Sequence, residues 1–320
     1  MGCLRSCKEY LKIDDERILI MPNKYEHLIM KDIQWTKSLP DHEGSIGDKG
    51  FPILMSNKFV PEAKAWVCPA LLRADKKTSE AIANGSFGKA TPHIHDGDEM
   101  YLILGEENSS TIAVTLGDDY YEVTTPAAVY IPAGLPHSIE AKRIDEGKFG
   151  GACPIFLGTE YITKPVPENP LKIENTEKLV MKDIQWVKSL PDHEGSIGDK
   201  GFPILMSNEF VPEAKAWVCP ALLTADKKTS EAIANGSFGK ATPHIHDGDE
   251  MYLLVGDENS STIAVTLGGE YYEVTTPAAV YIPAGLPHSI EAKRIDEGKF
   301  GGACPVFLGT EYITKPVPEK

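Results

Sequence analysis

The sequence has few of the features that mark specialised classes of protein. Six cysteines in 320 residues are too few for a disulfide scaffold. Cys68 and Cys153, with their later repeats, are predicted to be small core residues. No apolar run is long enough to cross a bilayer, and no cleavable signal sequence is evident. We therefore expect a reducing, cytoplasmic environment.

Clusters of basic residues are also missing. The chain has 32 Lys and Arg against 47 Asp and Glu, which gives a formal net charge of −15. Nucleic acids and anionic membrane surfaces bind basic faces, so we expect neither as a partner. The start, Met1 to Ser6, matches a myristoylation pattern. Short patterns of this kind arise easily by chance, and we expect no membrane anchor.

The main positive feature of the sequence is one long duplication. Residues 28–168 recur as residues 179–319 without a gap, with ten differences in 141 positions. This length is too great for a solenoid unit and predicts two globular domains. We expect an N-terminal extension at 1–27, a first domain at 28–168, a linker at 169–178 and a second domain at 179–320. The differences are Ile29/Val180, Thr36/Val187, Lys58/Glu209, Arg73/Thr224, Ile103/Leu254, Leu104/Val255, Glu106/Asp257, Asp118/Gly269, Asp119/Glu270 and Ile155/Val306.

Within each repeat, short runs of β-branched, aromatic and aliphatic residues are separated by Gly, Pro, Asn and Asp. Runs such as EMYLILG, STIAVTLG and AAVYIPAG have the length and spacing of strands in a barrel or sandwich. Only residues 75–85, and their repeat at 226–236, have a helical pattern. The sequence therefore predicts an all-β fold with two tandem barrels.

Two short segments of each repeat carry side chains that bind metals. Alternate residues of a strand share a face, so His93 and His95 present two imidazoles side by side. A turn then brings Glu99 back over them, and a stiff Pro/Gly turn precedes His137. Three imidazoles and a carboxylate suit Mn, Fe, Co, Ni, Cu or Zn rather than Ca or Mg. The second repeat has the same set, which is His244, His246, Glu250 and His288.

These segments resemble the two motifs of the cupin superfamily, and their duplication makes the chain similar to a bicupin. The family has His-x-His followed closely by Glu, and later Pro-x-Gly-x-x-His. Pro126 and Ala141 stand where the second motif has Gly and Asn, at positions that shape turns. The resemblance implies two jelly-roll barrels, each holding one divalent transition metal on these four residues. Fe(II) or Mn(II) is favoured, at two ions per chain.

Strand alternation also indicates which residues lie beside the metal. The next inward position after Glu99 is Tyr101, and its repeat is Tyr252. These phenols either orient or protonate a substrate or simply fill the barrel. The rest of the predicted wall is apolar and has no arginine, which weakens any hypothesis of a clamped dianion such as oxalate. His42 and His193 lie in loop-like sequence and are predicted to be surface residues, with a role in a lid over the site as the alternative.

The sequence favours a metal-dependent enzyme that acts on a small, oxygen-chelating organic substrate. Four protein ligands leave up to two octahedral positions open. With a redox-active metal, the cupin resemblance implies an O₂-dependent dioxygenase or oxidase. The alternative is a non-redox isomerase, lyase or decarboxylase in which the metal is a Lewis acid. A third hypothesis is a non-catalytic metal- or ligand-binding bicupin. We expect a monomer or a homodimer.

Overall fold

The computed structural model describes residues 24–36, 42–43, 50–86, 88–187, 193–194, 201–237 and 239–318, with only the backbone at 42–43 and 193–194. Met1 to Ser6, which match the myristoylation pattern, lie outside the described residues, so the expectation of no membrane anchor stays a prediction. Short 3-10 turns occur at Glu26–Leu28 and Glu177–Leu179. Within the described residues, no helix combines the length and the apolar character of a membrane span.

Almost all the regular structure is β-strand, which confirms the predicted all-β fold. The strands of the first repeat are β1 (Ile29–Met30), β2 (Gln34–Thr36), β3 (His42–Glu43), β4 (Phe51–Ile53), β5 (Trp66–Val67), β6 (Ala70–Arg73), β7 (Lys89–Ala90), β8 (His93–His95), β9 (Asp98–Gly105), β10 (Ser110–Leu116), β11 (Asp119–Thr124), β12 (Ala127–Ile131), β13 (His137–Ile144), β14 (Phe149–Leu157) and β15 (Thr163–Pro165). The strands of the second repeat are β16 (Val180–Met181), β17 (Gln185–Val187), β18 (His193–Glu194), β19 (Phe202–Ile204), β20 (Trp217–Val218), β21 (Ala221–Thr224), β22 (Lys240–Ala241), β23 (His244–His246), β24 (Asp249–Gly256), β25 (Ser261–Leu267), β26 (Glu270–Thr275), β27 (Ala278–Ile282), β28 (His288–Ile295), β29 (Phe300–Leu308) and β30 (Thr314–Pro316).

Each repeat also forms the one helix that the sequence predicts. These helices are α1 (Lys76–Ala83) and α2 (Lys227–Ala234). The Asp75 carboxylate accepts a hydrogen bond from the Thr78 N–H at 2.7 Å and caps the first turn of α1. Ile82, the buried residue of α1, packs against Ala74 and Ile144 at the edge of the barrel.

The first barrel consists of two antiparallel sheets. One sheet has the order β11-β10-β13-β7-β3, with β8 paired to β13 and β15 paired to β8. The other has the order β16-β12-β9-β14-β5, with β6 also paired to β14. Strand β12 is buried along its whole length, and β9 is buried except at its terminal glycine. Such strands are covered on both faces, and one continuous apolar cluster includes side chains of both barrels.

The leading strand of each repeat belongs to the sheet of the other repeat. Strand β1 pairs with β27, with Ile29 opposite Val280. Strand β16 pairs with β12 in the equivalent way, with Val180 opposite Val129. One sheet of each barrel therefore includes a short strand from the other repeat. The domain bounds at 28–168 and 179–320 stay a proposal.

One cluster of charged residues between the two repeats has no equivalent at the symmetry-related position. The Arg73 guanidinium donates two hydrogen bonds of 2.6 Å to Asp257 and one of 3.0 Å to Glu106. Burial alone would raise the pKa of Asp257, but Arg73 holds it below its ordinary value. The second repeat has Thr224 at the position of Arg73, so it has no equivalent guanidinium. The contact of Arg73 with the other repeat is therefore an ion pair that its symmetry-related position, Thr224, cannot form.

The first prediction concerns this cluster. Replacing Arg73 by Thr, the residue of the second repeat, leaves the carboxylates of Asp257 and Glu106, which are only 10% and 13% exposed, without their guanidinium. We expect a loss of about 2 kcal/mol in the free energy of unfolding, measured by urea denaturation. The control is Arg143→Thr, which breaks an exposed pair with Asp145 and should cost less than about 1 kcal/mol. Equal losses in the two variants would contradict the role of Arg73.

Candidate metal centre

Three neighbouring strands bring the four candidate ligands of the first barrel together. His93 and His95 lie on β8, Glu99 lies on β9, and His137 begins β13. Strand pairing places His93 directly opposite His137, with ring centroids 4.4 Å apart. One possible ligand atom from each of the four residues lies within 4.8 Å of the others, and all four are buried. His244, His246, Glu250 and His288 form the same cluster in the second barrel.

The backbone fixes which nitrogen of each imidazole faces the cluster. Nδ1 of His93 donates to the carbonyl of Thr91 at 2.7 Å, and Nδ1 of His137 donates to the carbonyl of Leu135 at 2.9 Å. Nδ1 of His95 contacts the carbonyl of residue 162 at 2.8 Å. A carbonyl only accepts, so each neutral ring carries its proton on Nδ1 and directs the Nε2 lone pair toward the other ligands.

The electrostatics of the cluster favour a bound cation. Burial, with a smaller contribution from His137, lowers the pKa of His93 to about 4, so this imidazole is neutral near pH 7. Burial alone would raise the pKa of Glu99, but His137 and His95, when they carry a proton on Nε2, hold it below its ordinary value. Glu99 Oε2 lies 3.1 Å from His137 Nε2. Three nitrogen lone pairs and a carboxylate directed at one point fit a divalent transition metal. Metal binding by these residues stays a prediction.

The turn between β8 and β9 depends on a glycine and on Asp98. A Cβ at Gly97 would lie 2.7 Å from the Phe156 ring, so only glycine lets that ring cover the turn. Asp98 is 7% exposed, and its carboxylate accepts hydrogen bonds of 2.8 Å from the Tyr130 hydroxyl and from the Ala133 N–H. The sequence pattern around Asp98 indicates only a turn. Its partners lie more than 30 positions away, so no local pattern reveals them.

Aromatic rings form one wall beside the cluster. The rings of Phe156 and Tyr161 lie 5.4 and 4.9 Å from that of His95. Tyr161 stacks on Trp66 at 4.5 Å, and Cys68 is buried in the same group. Burial raises the pKa of the Cys68 thiol, with smaller contributions from Cys153 and Glu99. Strand alternation missed this wall because its rings come from strands and loops distant in sequence.

Tyr101 lies beside the cluster, at the position that strand alternation indicates. Its side chain is 1% exposed, and its ring centroid is 6.1 Å from that of His137. Burial raises the pKa of its phenol well above the ordinary value, and the Glu99 carboxylate raises it further. The phenol therefore keeps its proton at neutral pH. Tyr252 has the same surroundings in the second barrel.

The backbone of His42 differs from the sequence expectation. His42 lies in strand β3, opposite Ala90 of β7, rather than in a loop. His193 has the same position in strand β18. The structure describes only the backbone at both positions, so the predicted surface location of these side chains lies outside the described residues.

Solved structures with a similar fold support the bicupin architecture. A variant of Bacillus subtilis oxalate decarboxylase matches with a TM-score of 0.54 and 14% identity, over 88% of this chain and 81% of that chain. Lactobacillus farciminis oxalate decarboxylase in complex with formate matches with a TM-score of 0.52 and 11% identity, over 89% and 92%. No protein-family model and no curated protein matches the sequence. Identities this low show the fold alone, which is the predicted tandem cupin barrel with one three-His, one-Glu motif in each barrel.

Metal analysis tests the two clusters separately. Protein purified without added metal is expected to carry close to two ions per chain, one for each cluster. His95→Ala and His246→Ala should each reduce the content to about one ion, because each removes one of four ligands. The double variant should carry none, as measured by plasma emission spectrometry. Full occupancy in the double variant would contradict the ligand assignment.

The lowered histidine pKa values predict how the stability of the metal-free protein depends on pH. The unfolded chain protonates His93 and His244 near pH 6.5, but the folded protein does so only near pH 4. The unfolded state therefore binds more protons between these values, and stability falls as the pH drops from 6.5 toward 4. Each group contributes at most about 1.4 kcal/mol per pH unit.

The measurement is a urea denaturation series between pH 7.5 and pH 4.5, with metal removed. The control is the double variant His93→Gln, His244→Gln, which lacks both groups and should show a shallower slope. An unchanged slope in that variant would refute the assignment of the pH dependence to these two imidazoles.

Proposed function

We propose that this chain is a metal-dependent enzyme that removes a carboxyl group from a small organic acid, with one active site in each barrel. The main support is the buried set of three imidazoles and one carboxylate, which leaves up to two octahedral positions for substrate oxygens. A bound divalent ion would act there as a Lewis acid that polarises a carbonyl. We keep Mn(II) and Fe(II) as the proposed ions, two per chain.

The similar structures favour a decarboxylase over the other possible reactions. Both matched proteins described above are oxalate decarboxylases. This observation makes the non-redox alternative from the sequence our leading proposal. In such a reaction the C–C bond to the carboxyl group breaks, CO₂ leaves, and the remaining carbon takes up one proton. O₂-dependent cleavage stays a prediction that the same ligands allow.

The protein groups near the cluster favour a substrate with one negative charge. Within the described part of the chain, the ion-pair partners of Glu99 are the imidazoles of His95 and His137, and the rings beside these imidazoles belong to Phe156, Tyr161 and Tyr101. None of these residues is a lysine or an arginine, whereas a dianion would favour a bidentate cation. We therefore propose a 3-oxo monocarboxylate rather than oxalate itself. Its keto and carboxylate oxygens can chelate a metal, and its polarised carbonyl oxygen can take up the electron pair of the broken C–C bond.

The roles of the protein side chains follow from their surroundings. The protonated phenol of Tyr101 donates a hydrogen bond to a substrate oxygen and holds it in place. The rings of Phe156 and Tyr161 keep water away from that side of His95, which strengthens electrostatic interactions at the site. Tyr252 has the role of Tyr101 in the second barrel.

An anaerobic assay tests the reaction type. Mn(II)-loaded protein is incubated without O₂ with a panel of 3-oxo monocarboxylates and with oxalate, and the CO₂ released above the uncatalysed rate is measured. We expect CO₂ release from a monocarboxylate, and loss of this activity in the double variant His95→Ala, His246→Ala. Turnover that requires stoichiometric O₂ would instead support the dioxygenase. Metal binding without turnover on any substrate would support the non-catalytic bicupin.

The role of the phenol can be tested separately. The double variant Tyr101→Phe, Tyr252→Phe removes two hydroxyl groups and keeps both rings. We expect kcat to fall about 10- to 100-fold, because the hydrogen bond to the substrate is lost, while the metal content stays at that of the parent protein. The control is Tyr120→Phe, Tyr271→Phe, because those rings are more than half exposed. Equal kcat in the two double variants would show that Tyr101 and Tyr252 only fill space.

A further inference from the structure

A lysine of the second barrel reaches the metal motif of the first barrel. Lys215 lies in the segment between β19 and β20 of the second barrel. Its ammonium group is 2.7 Å from the buried carboxylate of Asp98, the residue immediately before Glu99. Its backbone N–H also donates to the hydroxyl of Tyr130 at 3.1 Å. Lys215 thus contacts the first barrel at two points.

Asp98 connects this contact with the turn that orients His137. The Asp98 carboxylate accepts the Ala133 N–H, and Ala133 lies in the Pro/Gly turn before β13. In the same turn, the Gly134 N–H donates to the carbonyl of His95 at 2.8 Å. The Leu135 carbonyl accepts from Nδ1 of His137. A displacement of this turn would therefore change the directions of both histidines.

The equivalent contact runs from the first barrel to the metal motif of the second barrel. Lys64 of the first barrel lies 2.8 Å from the carboxylate of Asp249, which precedes Glu250. The Tyr281 hydroxyl donates to Asp249 at 2.7 Å and accepts the Lys64 N–H at 3.1 Å. The Ala284 N–H donates to Asp249 at 2.8 Å. Both lysines and both aspartates line one cavity of about 590 Å³ between the barrels.

We propose that each metal site is held in shape by the opposite barrel. Lys215 is a positioning residue for the site of His95 and His137, and Lys64 is a positioning residue for the site of His246 and His288. This inference rests on the proposed metal binding, but not on the proposed reaction. It predicts a crossed pattern, in which each lysine affects the site formed by the other repeat.

Loss of the lysine charge and loss of the lysine's positioning contact change the metal affinity in opposite directions, so the two can be distinguished. Removing an ammonium group near a cation site strengthens cation binding by Coulomb's law. A weaker site in Lys215→Met therefore reports lost positioning rather than lost charge. Lys164→Met is the matched control, because Lys164 pairs with Asp96 in the same β8–β9 turn but belongs to the first repeat. We expect this control to leave the Mn(II) affinity unchanged or slightly higher.

The experiment measures Mn(II) affinity in variants of the full chain that keep one cluster. In His246→Ala, which keeps only the first site, Lys215→Met should weaken Mn(II) binding about tenfold, and Lys64→Met should change it less than about twofold. In His95→Ala the two lysine variants should exchange roles. Titration calorimetry gives the affinity, and the Mn(II) electron paramagnetic resonance spectrum reports the ligand geometry. Lys215→Arg should restore most of the affinity.

A second measurement uses the chain with both sites intact, in case a single-site variant does not fold. Lys215→Met alone should then show one unchanged and one weakened site in the Mn(II) binding curve, and the double lysine variant should show two weakened sites. Equal weakening of both sites by either single variant, or unchanged affinity and spectrum, would overturn the inference. Absence of Mn(II) binding in the parent protein would refute the proposed metal site itself. If the parent protein binds Mn(II) tightly and each lysine variant weakens the site of the other repeat, but no CO₂ is released, only the proposed reaction is refuted.

Discussion

The structure depends on the convergence of four proton acceptors in each barrel. Main-chain carbonyls accept the Nδ1 protons of the imidazoles, so the Nε2 atoms of His93 and His137 face the cluster that includes the Glu99 carboxylate. A cation bound at this point would compensate the buried carboxylate. The sheet register that places His93 opposite His137 must therefore be exact to one residue, since a shift by one would turn these side chains to the other face.

The parts of the structure that depend on local patterns could be predicted from the sequence. Alternating runs and turn residues predicted the all-β class, and the helical pattern at 75–85 predicted α1. The spacing of His93, His95 and Glu99 indicated one cluster, because the strand period and a tight turn determine where those side chains point. Tyr101 followed from the same alternation.

Contacts between distant segments could not be predicted, because no sequence period records them. Asp98 lies between a turn and a strand, and nothing local indicates that a lysine 117 positions later binds it. The sequence also does not indicate that β1 and β16 each pair with a strand of the other repeat. The sequence shows that positions 73 and 257 both differ from their repeats, but only the structure shows that Arg73 and Asp257 are partners. The reaction type could not be fixed either, because one ligand set serves both redox and Lewis-acid chemistry.

The exchange of leading strands also bears on how such a molecule can be divided. A chain cut between residues 169 and 178 would give two fragments, each holding the short strand that completes the sheet of the other. Neither fragment alone could cover the edge that β1 or β16 protects, and open edges promote association. A single repeat could cover the same edge only by exchanging its leading strand with a second copy of itself.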